Sequence, residues 1–183
     1  MIESKKITRF MYLMKRKSMK KHEVEDLSTQ ISNIISSNIN LSKASIALYY
    51  PVNNEVDIRD LSNKCRKALL PVFNFETKKI RFAIWDSYLE VNKYGIHEPK
   101  DPVFDLDIDY VFVPLVAFNQ DLHRIGYGGG AYDKTIEFYR NHIKPSPKFI
   151  GVAFSSQMAE FSPEEFDQIL DGIITEDGII GSL

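Results

Sequence analysis

Short apolar segments alternate with segments of helical periodicity along this chain, and this alternation limits the folds that are open to it. Residues 110–113 form a continuous apolar run, which is typical of a strand buried on both faces. Residues 45–50, 149–154 and 169–174 are predicted as further strands. Helical spacing of apolar residues precedes the first of these strands and also follows residue 136. The pattern predicts a Rossmann-like α/β fold in three layers, with a largely parallel sheet and helices on both faces.

The middle of the chain carries a further predicted helix and two predicted strands. Asp57 fits the N-cap of a helix over residues 57–69, which have apolar residues at helical spacing. Residues 72–75 and 80–85 are rich in β-forming side chains and predict two short strands. Residues 94–107 contain two prolines and four acidic residues, which predicts an irregular surface connection.

The first 21 residues are strongly basic, with eight Lys or Arg against one Glu. Ile7, Phe10, Met11 and Met14 recur there at helical spacing, which predicts an amphipathic helix whose apolar side packs on the core. A transit peptide and a helix lying on a membrane surface show the same pattern, and both remain alternatives at this point.

Composition restricts the class of partner. A chain of 183 residues fits a single domain over residues 1–183, since a domain of this size buries roughly 70% of its unfolded surface. The formal net charge of −2 offers no general attraction to nucleic acid. Cys65 is the only cysteine, which excludes an internal disulfide and a cysteine zinc site. No apolar run reaches the roughly 18–20 residues of a membrane span. We therefore expect a cytoplasmic protein, a monomer, without membrane or nucleic-acid partners.

A glycine-rich loop between a predicted strand and a predicted helix carries the strongest functional signal. Its sequence is Arg-Ile-Gly-Tyr-Gly-Gly-Gly-Ala-Tyr-Asp over residues 124–133. Glycine allows backbone N–H groups to approach an anion closely, and the following helix N-terminus adds unpaired donors. The Arg124 guanidinium is suited to phosphate oxygens. Ligands of parallel sheets bind beyond the carboxyl ends of the strands, where this loop must lie. The loop therefore predicts a nucleotide phosphate site.

Other interpretations of this loop remain open on the residues alone. A flexible turn whose arginine pairs with a carboxylate has the same glycines. Gly126, Gly128 and Ala131 match the G-x-G-x-x-A of dinucleotide-binding oxidoreductases, although no acid follows about twenty residues later. A non-catalytic nucleotide- or RNA-binding module is a third alternative, because the first helix is basic. A Walker P-loop is excluded, since no Lys-Ser or Lys-Thr follows the glycines.

Two aspartates are candidate metal ligands. Asp133 falls in the first turn of the predicted helix, where it is either a cap or a ligand to the Mg²⁺ of a nucleotide. Asp171 interrupts the apolar run of residues 169–174, and a carboxylate there needs a hydrogen bond, a cation or a metal ion. The four histidines show no metal-ligand spacing, and there is no G-x-S-x-G motif.

The matching residues, taken together, resemble the 5-formyltetrahydrofolate cyclo-ligase family, whose members are also called methenyltetrahydrofolate synthetases. The tightest match extends from Val113-Pro114 through Ala117-Phe118 and Asp121 to residues 124–133, similar to the family's P-x-x-A-F followed by R-L-G-x-G-x-G-Y-Y-D. Weaker matches occur in the family's order at Lys5 and Arg9, Tyr49-Tyr50-Pro51 with Glu55, Gly95-Ile96 with Glu98-Pro99, and residues 171–176.

The resemblance implies an ATP- and Mg²⁺-dependent cyclisation of 5-formyltetrahydrofolate to 5,10-methenyltetrahydrofolate, with ADP and phosphate as the other products. It implies that Arg124 and Lys5 are catalytic and that Asp133 and Asp171 hold Mg²⁺. It assigns the folate substrate to Tyr50, Glu55, Phe118 and Tyr132. It assigns ATP to Lys5, Arg9, Arg124, Ile125, Gly126, Tyr127, Gly128, Gly129, Gly130, Ala131 and Tyr132.

The chain departs from the family pattern within the loop. Gly129 stands where many relatives carry lysine, Ala131 where an aromatic residue is usual, and His123 where glycine is common. Trp85 is a candidate for stacking on the pterin, with core packing as the alternative.

Overall fold

A seven-stranded sheet forms the centre of the protein. The structure is a computed structural model that describes residues 4–85 and 88–183. Within these residues the α-helices are α1 (Lys5–Lys17), α2 (Lys21–Asn38) and α3 (Ala131–His142). The strands are β1 (Ser45–Ala47), β2 (Lys67–Asn74), β3 (Lys79–Ile84), β4 (Leu89–Val91), β5 (His97–Pro99), β6 (Tyr110–Pro114), β7 (Ala117–Phe118), β8 (Arg124–Ile125), β9 (Lys148–Val152), β10 (Gly172–Thr175) and β11 (Gly178–Gly181).

The strand order in the main sheet is β11-β10-β9-β6-β1-β2-β3. Strands β10, β9, β6, β1 and β2 pair in parallel, while the edge strands β11 and β3 are antiparallel to their neighbours. Two short hairpins, β4–β5 and β7–β8, lie outside the main sheet. The structure thus confirms the predicted largely parallel sheet and adds an antiparallel strand at each edge.

Each face of the sheet is covered by its own apolar core. On one face, Ile31 and Ile35 of α2 pack in the same cluster as Phe112 of β6. On the other face, Ile136 of α3 packs in a cluster that contains Val111 of the same strand. Successive side chains of a strand point to opposite faces, so a strand between two cores is apolar at every position. The helices on both faces confirm the predicted three layers.

Helix α1 forms where it was predicted, but the prediction about its apolar side was wrong. Ile7, Phe10, Met11 and Met14 are exposed. The opposite, polar side of α1 packs on loops at the carboxyl edge of the sheet through hydrogen bonds from its side chains to backbone oxygens. Carbonyl groups in such loops need donors, and long polar side chains supply them. No helix in the described part of the chain is long and apolar enough to cross a membrane.

Two further predictions for the middle of the chain were wrong. The segment 57–69 contains only a short 3₁₀ helix, Arg59–Asn63, and its last three residues belong to β2, where Leu69 pairs with Ala47 of β1. Residues 94–107 are not wholly irregular, since they contain β5, which pairs with β4. In both cases strand pairing with residues distant in sequence decides the local conformation.

Candidate active site

The candidate site lies at the carboxyl edge of the sheet, between β1 and β6. These two strands are parallel neighbours, yet β1 connects to β2 on one side while β6 connects to β9 on the other. A reversal of this kind leaves a crevice beyond the strand ends, where ligands of open α/β sheets bind. Residues 48–56 leave β1 there, and residues 115–130 connect β6 to α3.

The glycine-rich loop is shaped as an open anion site. Gly128 and Gly130 have φ values of 97° and 63°, which favour glycine. A Cβ atom added at Gly126 or Gly129 would meet no atom within 4 Å. Gly130 is the N-cap of α3 and no side chain caps this helix. The first-turn N–H groups of α3 are therefore available to an anion such as a phosphate.

Two cations of α1 reach this loop and the segment beside it. The Arg9 Nε donates to the Gly126 carbonyl at 2.6 Å. Lys5 forms an ion pair with Asp167 and lies 3.7 Å from Glu164. Burial opposes ionisation of Asp167, but hydrogen bonds from Lys5 and from the backbone N–H of Glu164 outweigh it and lower the pKa of the carboxyl. The Lys5 charge is thus neutralised by protein in this state.

Arg124 is buried and lies at the base of the loop. Its Nη2 donates to Oδ1 of Asp133 at 2.8 Å, and its Nη1 donates to the Gln168 carbonyl at 2.9 Å. Burial lowers the pKa of the guanidinium, and Asp133 partly restores it. Oδ1 of Asp133 also accepts from the Gln168 N–H at 3.0 Å. The segment that carries Asp167 and Gln168 therefore contacts both predicted catalytic cations.

Asp171 does not lie with Asp133. Its carboxylate pairs with Arg140 at 3.3 Å and accepts from the N–H of Phe149, near the beginning of β9. Asp133 and Arg140 are seven residues apart on α3, which corresponds to about 10 Å along the helix. The structure therefore does not bring the two predicted metal ligands together. Within the described residues, no group of three or more His, Cys, Asp or Glu side chains is arranged to hold a metal ion.

Glu55 faces the glycine-rich loop. Its Oε1 accepts from the Tyr127 hydroxyl at 3.0 Å, and its Oε2 accepts from the Val52 N–H at 3.0 Å. The Arg16 guanidinium lies 3.6 Å from Oε1. Burial raises the pKa of the Glu55 carboxyl, and Arg16 is the largest of the influences that lower it. The crevice thus contains a carboxylate with acceptor capacity on one side and cations with an open loop on the other.

The sequence of this chain is similar to the proteins of one known family. The model of the 5-formyltetrahydrofolate cyclo-ligase family matches residues 1–176. The chain belongs to this family. It is 31% identical to the cyclo-ligase of Haemophilus influenzae over 161 residues, covering 81% of this chain and 82% of that protein. It is 32% identical to the cyclo-ligase of Escherichia coli K12 over 143 residues, covering 72% of this chain and 77% of that protein.

Solved structures give the same result for the fold. A 5,10-methenyltetrahydrofolate synthetase of Aquifex aeolicus superposes with a TM-score of 0.77 at 27% identity, covering 96% of this chain and 91% of that one. The synthetase of Mycoplasma pneumoniae gives a TM-score of 0.75 at 26% identity, covering 95% and 99%. The chain is therefore an enzyme of the cyclo-ligase family, which acts on small molecules in folate one-carbon metabolism.

Two residues expected at the folate site, Tyr50 and Phe118, and the stacking candidate Trp85 lie elsewhere than beside Glu55. Tyr50 stacks on His97 with ring centroids 4.1 Å apart and lines a separate cleft of roughly 600 Å³. Trp85 lines the same cleft and packs against the α2-side core. Phe118 is fully buried in the α3-side core. Burial in a core leaves Phe118 no surface with which to contact a substrate.

Sequence reasoning missed an aromatic cluster at the carboxyl end of β2. Phe73, Phe75 and Tyr94 lie with ring centroids 5.0 to 5.9 Å apart, and Lys93 Nζ lies 3.8 Å from the Phe75 centroid. Phe75 and Tyr94 are exposed although they are large and apolar. The carboxyl edge of an open α/β sheet is where ligands usually bind, and exposed aromatic rings there are suited to stacking on a flat ring. Only the β4–β5 hairpin brings Tyr94 to the other two residues.

Sequence reasoning also missed Arg16. Lys5, Arg9, Tyr12 and Arg16 recur at intervals of four, three and four residues, so they share one side of a helix. This polar spacing was visible in the sequence and predicts the docked side of α1 correctly. The prediction relied instead on the apolar residues of the opposite side, which are exposed.

Proposed function

We propose that this enzyme converts 5-formyltetrahydrofolate and ATP into 5,10-methenyltetrahydrofolate, ADP and phosphate, with Mg²⁺ as the required metal ion. The observation that carries the proposal is the open glycine-rich loop, which leads into the uncapped N-terminus of α3 and has Arg9 and Arg124 beside it. Lys5 lies against Asp167, in the segment that also contacts Arg124. Family membership supports the reaction class, and the open shape of this loop supports its assignment to the nucleotide.

The triphosphate is assigned to the loop and its cations. Backbone N–H groups at the start of α3 and the open space at Gly126 and Gly129 suit phosphate oxygens. Lys5 and Arg124 are paired with Asp167 and Asp133. We infer that bound phosphate competes with these carboxylates for the two cations, because all of them are anionic oxygen acceptors.

Mg²⁺ is assigned to Asp133. In proteins this ion is usually held by one or two carboxylates together with substrate phosphates, so a complete protein cage is not needed. Both hydrogen bonds to the Asp133 carboxylate end on Oδ1, which leaves Oδ2 as the oxygen that would serve a metal ion. When bound, the ion would neutralise charge on the phosphates. Asp171 would have to leave Arg140 to serve as a second ligand.

The folate ring system is assigned to Glu55 and the aromatic cluster. A pterin presents adjacent N–H donors, and an ionised carboxylate has about four acceptor positions. Tyr127 and Val52 occupy two of those positions on Glu55, which leaves acceptor capacity on both oxygens. The exposed rings of Phe75 and Tyr94 are candidates for stacking on the flat ring.

The chemistry requires positioning and charge neutralisation more than a protein nucleophile. The formyl oxygen cannot leave as it stands, so we infer that it accepts the γ-phosphoryl group of ATP, with release of ADP. N10 of the folate then attacks the activated carbon, the C–O bond breaks, and phosphate departs with the proton lost from N10. Arg124, Lys5 and loop N–H groups stabilise the negative charge during transfer.

One assay tests the proposed reaction. Purified protein is mixed with 5-formyltetrahydrofolate and Mg-ATP, and formation of the methenyl chromophore is followed. Product that forms only with both ATP and Mg²⁺ supports the proposal. Asp133→Asn should require more Mg²⁺ for half-maximal rate, whereas Lys134→Gln, at the exposed neighbouring position, should titrate as wild type does. Absence of product from the wild-type protein would exclude the proposed function.

A further inference from the structure

Arg16 is the most deeply buried cation at the candidate site, with its side chain 1% exposed. Its Nε donates to the Asn53 carbonyl at 3.0 Å and its Nη1 to the Leu115 carbonyl at 2.7 Å. Its Nη2 donates to the Tyr127 hydroxyl at 2.6 Å. A single side chain of α1 thus connects the segment after β1, the segment after β6 and the glycine-rich loop.

The donors and acceptors around the Tyr127 hydroxyl allow only one direction for each hydrogen bond. Arginine can donate but not accept, and an ionised carboxylate can accept but not donate. The Tyr127 oxygen therefore accepts from Arg16 while its hydrogen is donated to Glu55 Oε1. Asn53 Nδ2 also donates to the Tyr127 oxygen, at the longer distance of 3.4 Å. Loss of the arginine would remove the shorter of these two bonds, so the hydroxyl and the Glu55 carboxylate that it contacts would be held less firmly.

We propose that Arg16 is a positioning residue, which holds the Tyr127 hydroxyl and the Glu55 carboxylate in place so that the folate ring is recognised in one orientation. The inference rests on the proposed function, since that function assigns the folate ring to Glu55. It adds a role in folate recognition for one residue of the glycine-rich loop, because the Tyr127 hydroxyl donates to Glu55.

The charges that face Glu55 support this role. Burial raises the pKa of Glu55, and Arg16 on α1 is the charged group that lowers it. Tyr127 of the loop contributes a hydrogen bond. Tyr49 and Tyr132 stay neutral, because burial and the nearby Glu55 charge both raise the pKa values of their hydroxyls. Arg16 is thus the cation on which ionisation of Glu55 depends.

Steady-state kinetics of matched variants test the proposal. Arg16→Met keeps the length of the stem and removes the charge, and it should raise KM for 5-formyltetrahydrofolate about 10- to 100-fold. KM for ATP should stay within about twofold, because Arg9 and Arg124 are untouched. The acid limb of kcat/KM for folate should move to higher pH, since Glu55 has lost its cation. Lys17→Met, at an exposed position one residue along, should match the wild type.

Two further variants keep the test decisive if Arg16→Met does not fold. Arg16→Lys should recover part of the folate affinity, because it restores charge without the planar fork. Tyr127→Phe, at a half-exposed position, should raise KM for folate by less than Arg16→Met, since it removes only the hydroxyl. A KM for folate and a pH profile that stay unchanged in both Arg16→Met and Tyr127→Phe would overturn the proposal. Equal rises in both KM values with an unmoved pH profile would also overturn it.

A measurement without turnover separates this inference from the proposed function. The pKa of Glu55 is determined by NMR on ¹³C-labelled wild type and Arg16→Met, with no substrate present. A higher pKa in the variant supports the Arg16–Glu55 link even if the wild type forms no methenyl product, a result that would exclude only the proposed function. An unchanged Glu55 pKa would overturn the link even in an active cyclo-ligase.

Discussion

Replacement of Arg124 by alanine should impair both activity and stability. The guanidinium makes bonds of 2.8 Å to Asp133 and 2.9 Å to the Gln168 carbonyl, and its side chain is 5% exposed. Removing one partner of a buried ion pair costs about 3–5 kcal/mol. Asp133 is 26% exposed and can recover some hydration. We therefore expect a loss near the lower limit, about 3 kcal/mol.

The loss of stability and the loss of activity in Arg124→Ala can be measured separately. For a domain of this length each kcal/mol shifts Tm by about 2–4 °C, so Arg124→Ala should melt about 6–12 °C lower. Its kcat/KM, measured where circular dichroism shows the variant to be folded, should fall by at least about 100-fold, as when a charge-stabilising donor is removed. If Arg124 served only to bind phosphate, its replacement by alanine would leave the Tm unchanged.

A remote ion pair provides the control. Lys67 lies at the amino end of β2 and bonds to Asp105 at 2.6 Å. Lys67→Ala should lower Tm but leave kcat/KM of the folded protein unchanged. If Arg124→Ala also kept its kcat/KM, the catalytic role of Arg124 would be refuted. If Arg124→Ala unfolded at the same urea concentration as the wild type, the argument from the buried ion pair would be wrong.

Three further predictions concern the loop glycines and Glu55. Gly126→Ala should fold normally but raise KM for ATP. Its control, Gly151→Ala, should lose about 1–3 kcal/mol of stability in urea unfolding, because the added Cβ would lie 2.8 and 2.9 Å from two leucine side chains. Gly129→Lys has open space and should lower KM for ATP by several-fold; an unchanged or higher KM would contradict the assignment of the phosphates to this loop. The raised pKa of Glu55 means that folding favours its protonated form, so its contribution to stability is present below its usual value of 4.5 and is lost as pH rises through the folded pKa. The free energy of unfolding of wild type minus that of Glu55→Gln should therefore fall as the pH rises above 4.5, and a flat difference would refute the shift.

Local sequence patterns were sufficient where short-range physics decides the structure. The apolar run that became β6 is apolar at every position because both faces of that strand are buried. The glycines of the loop allow its positive φ values and open space, so the open shape of the loop could be predicted without coordinates. The prediction of a helix over residues 57–69 was wrong, because pairing of β2 with β1 outweighs a weak local preference for helix.

The candidate site shows the same division. Chain order alone could place Arg124, Asp133 and the glycines together, since they lie within ten residues of one another. It could not show that Asp171 is paired with Arg140, or that Phe118 belongs to a core. Nor could it bring Tyr94 to Phe75, because a separate hairpin makes that contact.

The family, the parallel sheet and the open shape of the glycine-rich loop could be predicted without coordinates, because each depends on residues that are close in the chain or on a regular apolar period. Which side of α1 faces the protein, and that Arg16 lies against Glu55, depend on the assembled fold. Helical periodicity defines two sides of a helix but not what each side meets. The carbonyl groups that accept hydrogen bonds from the polar side of α1 come from segments 37 to 146 residues away, and they become neighbours only when the sheet is assembled.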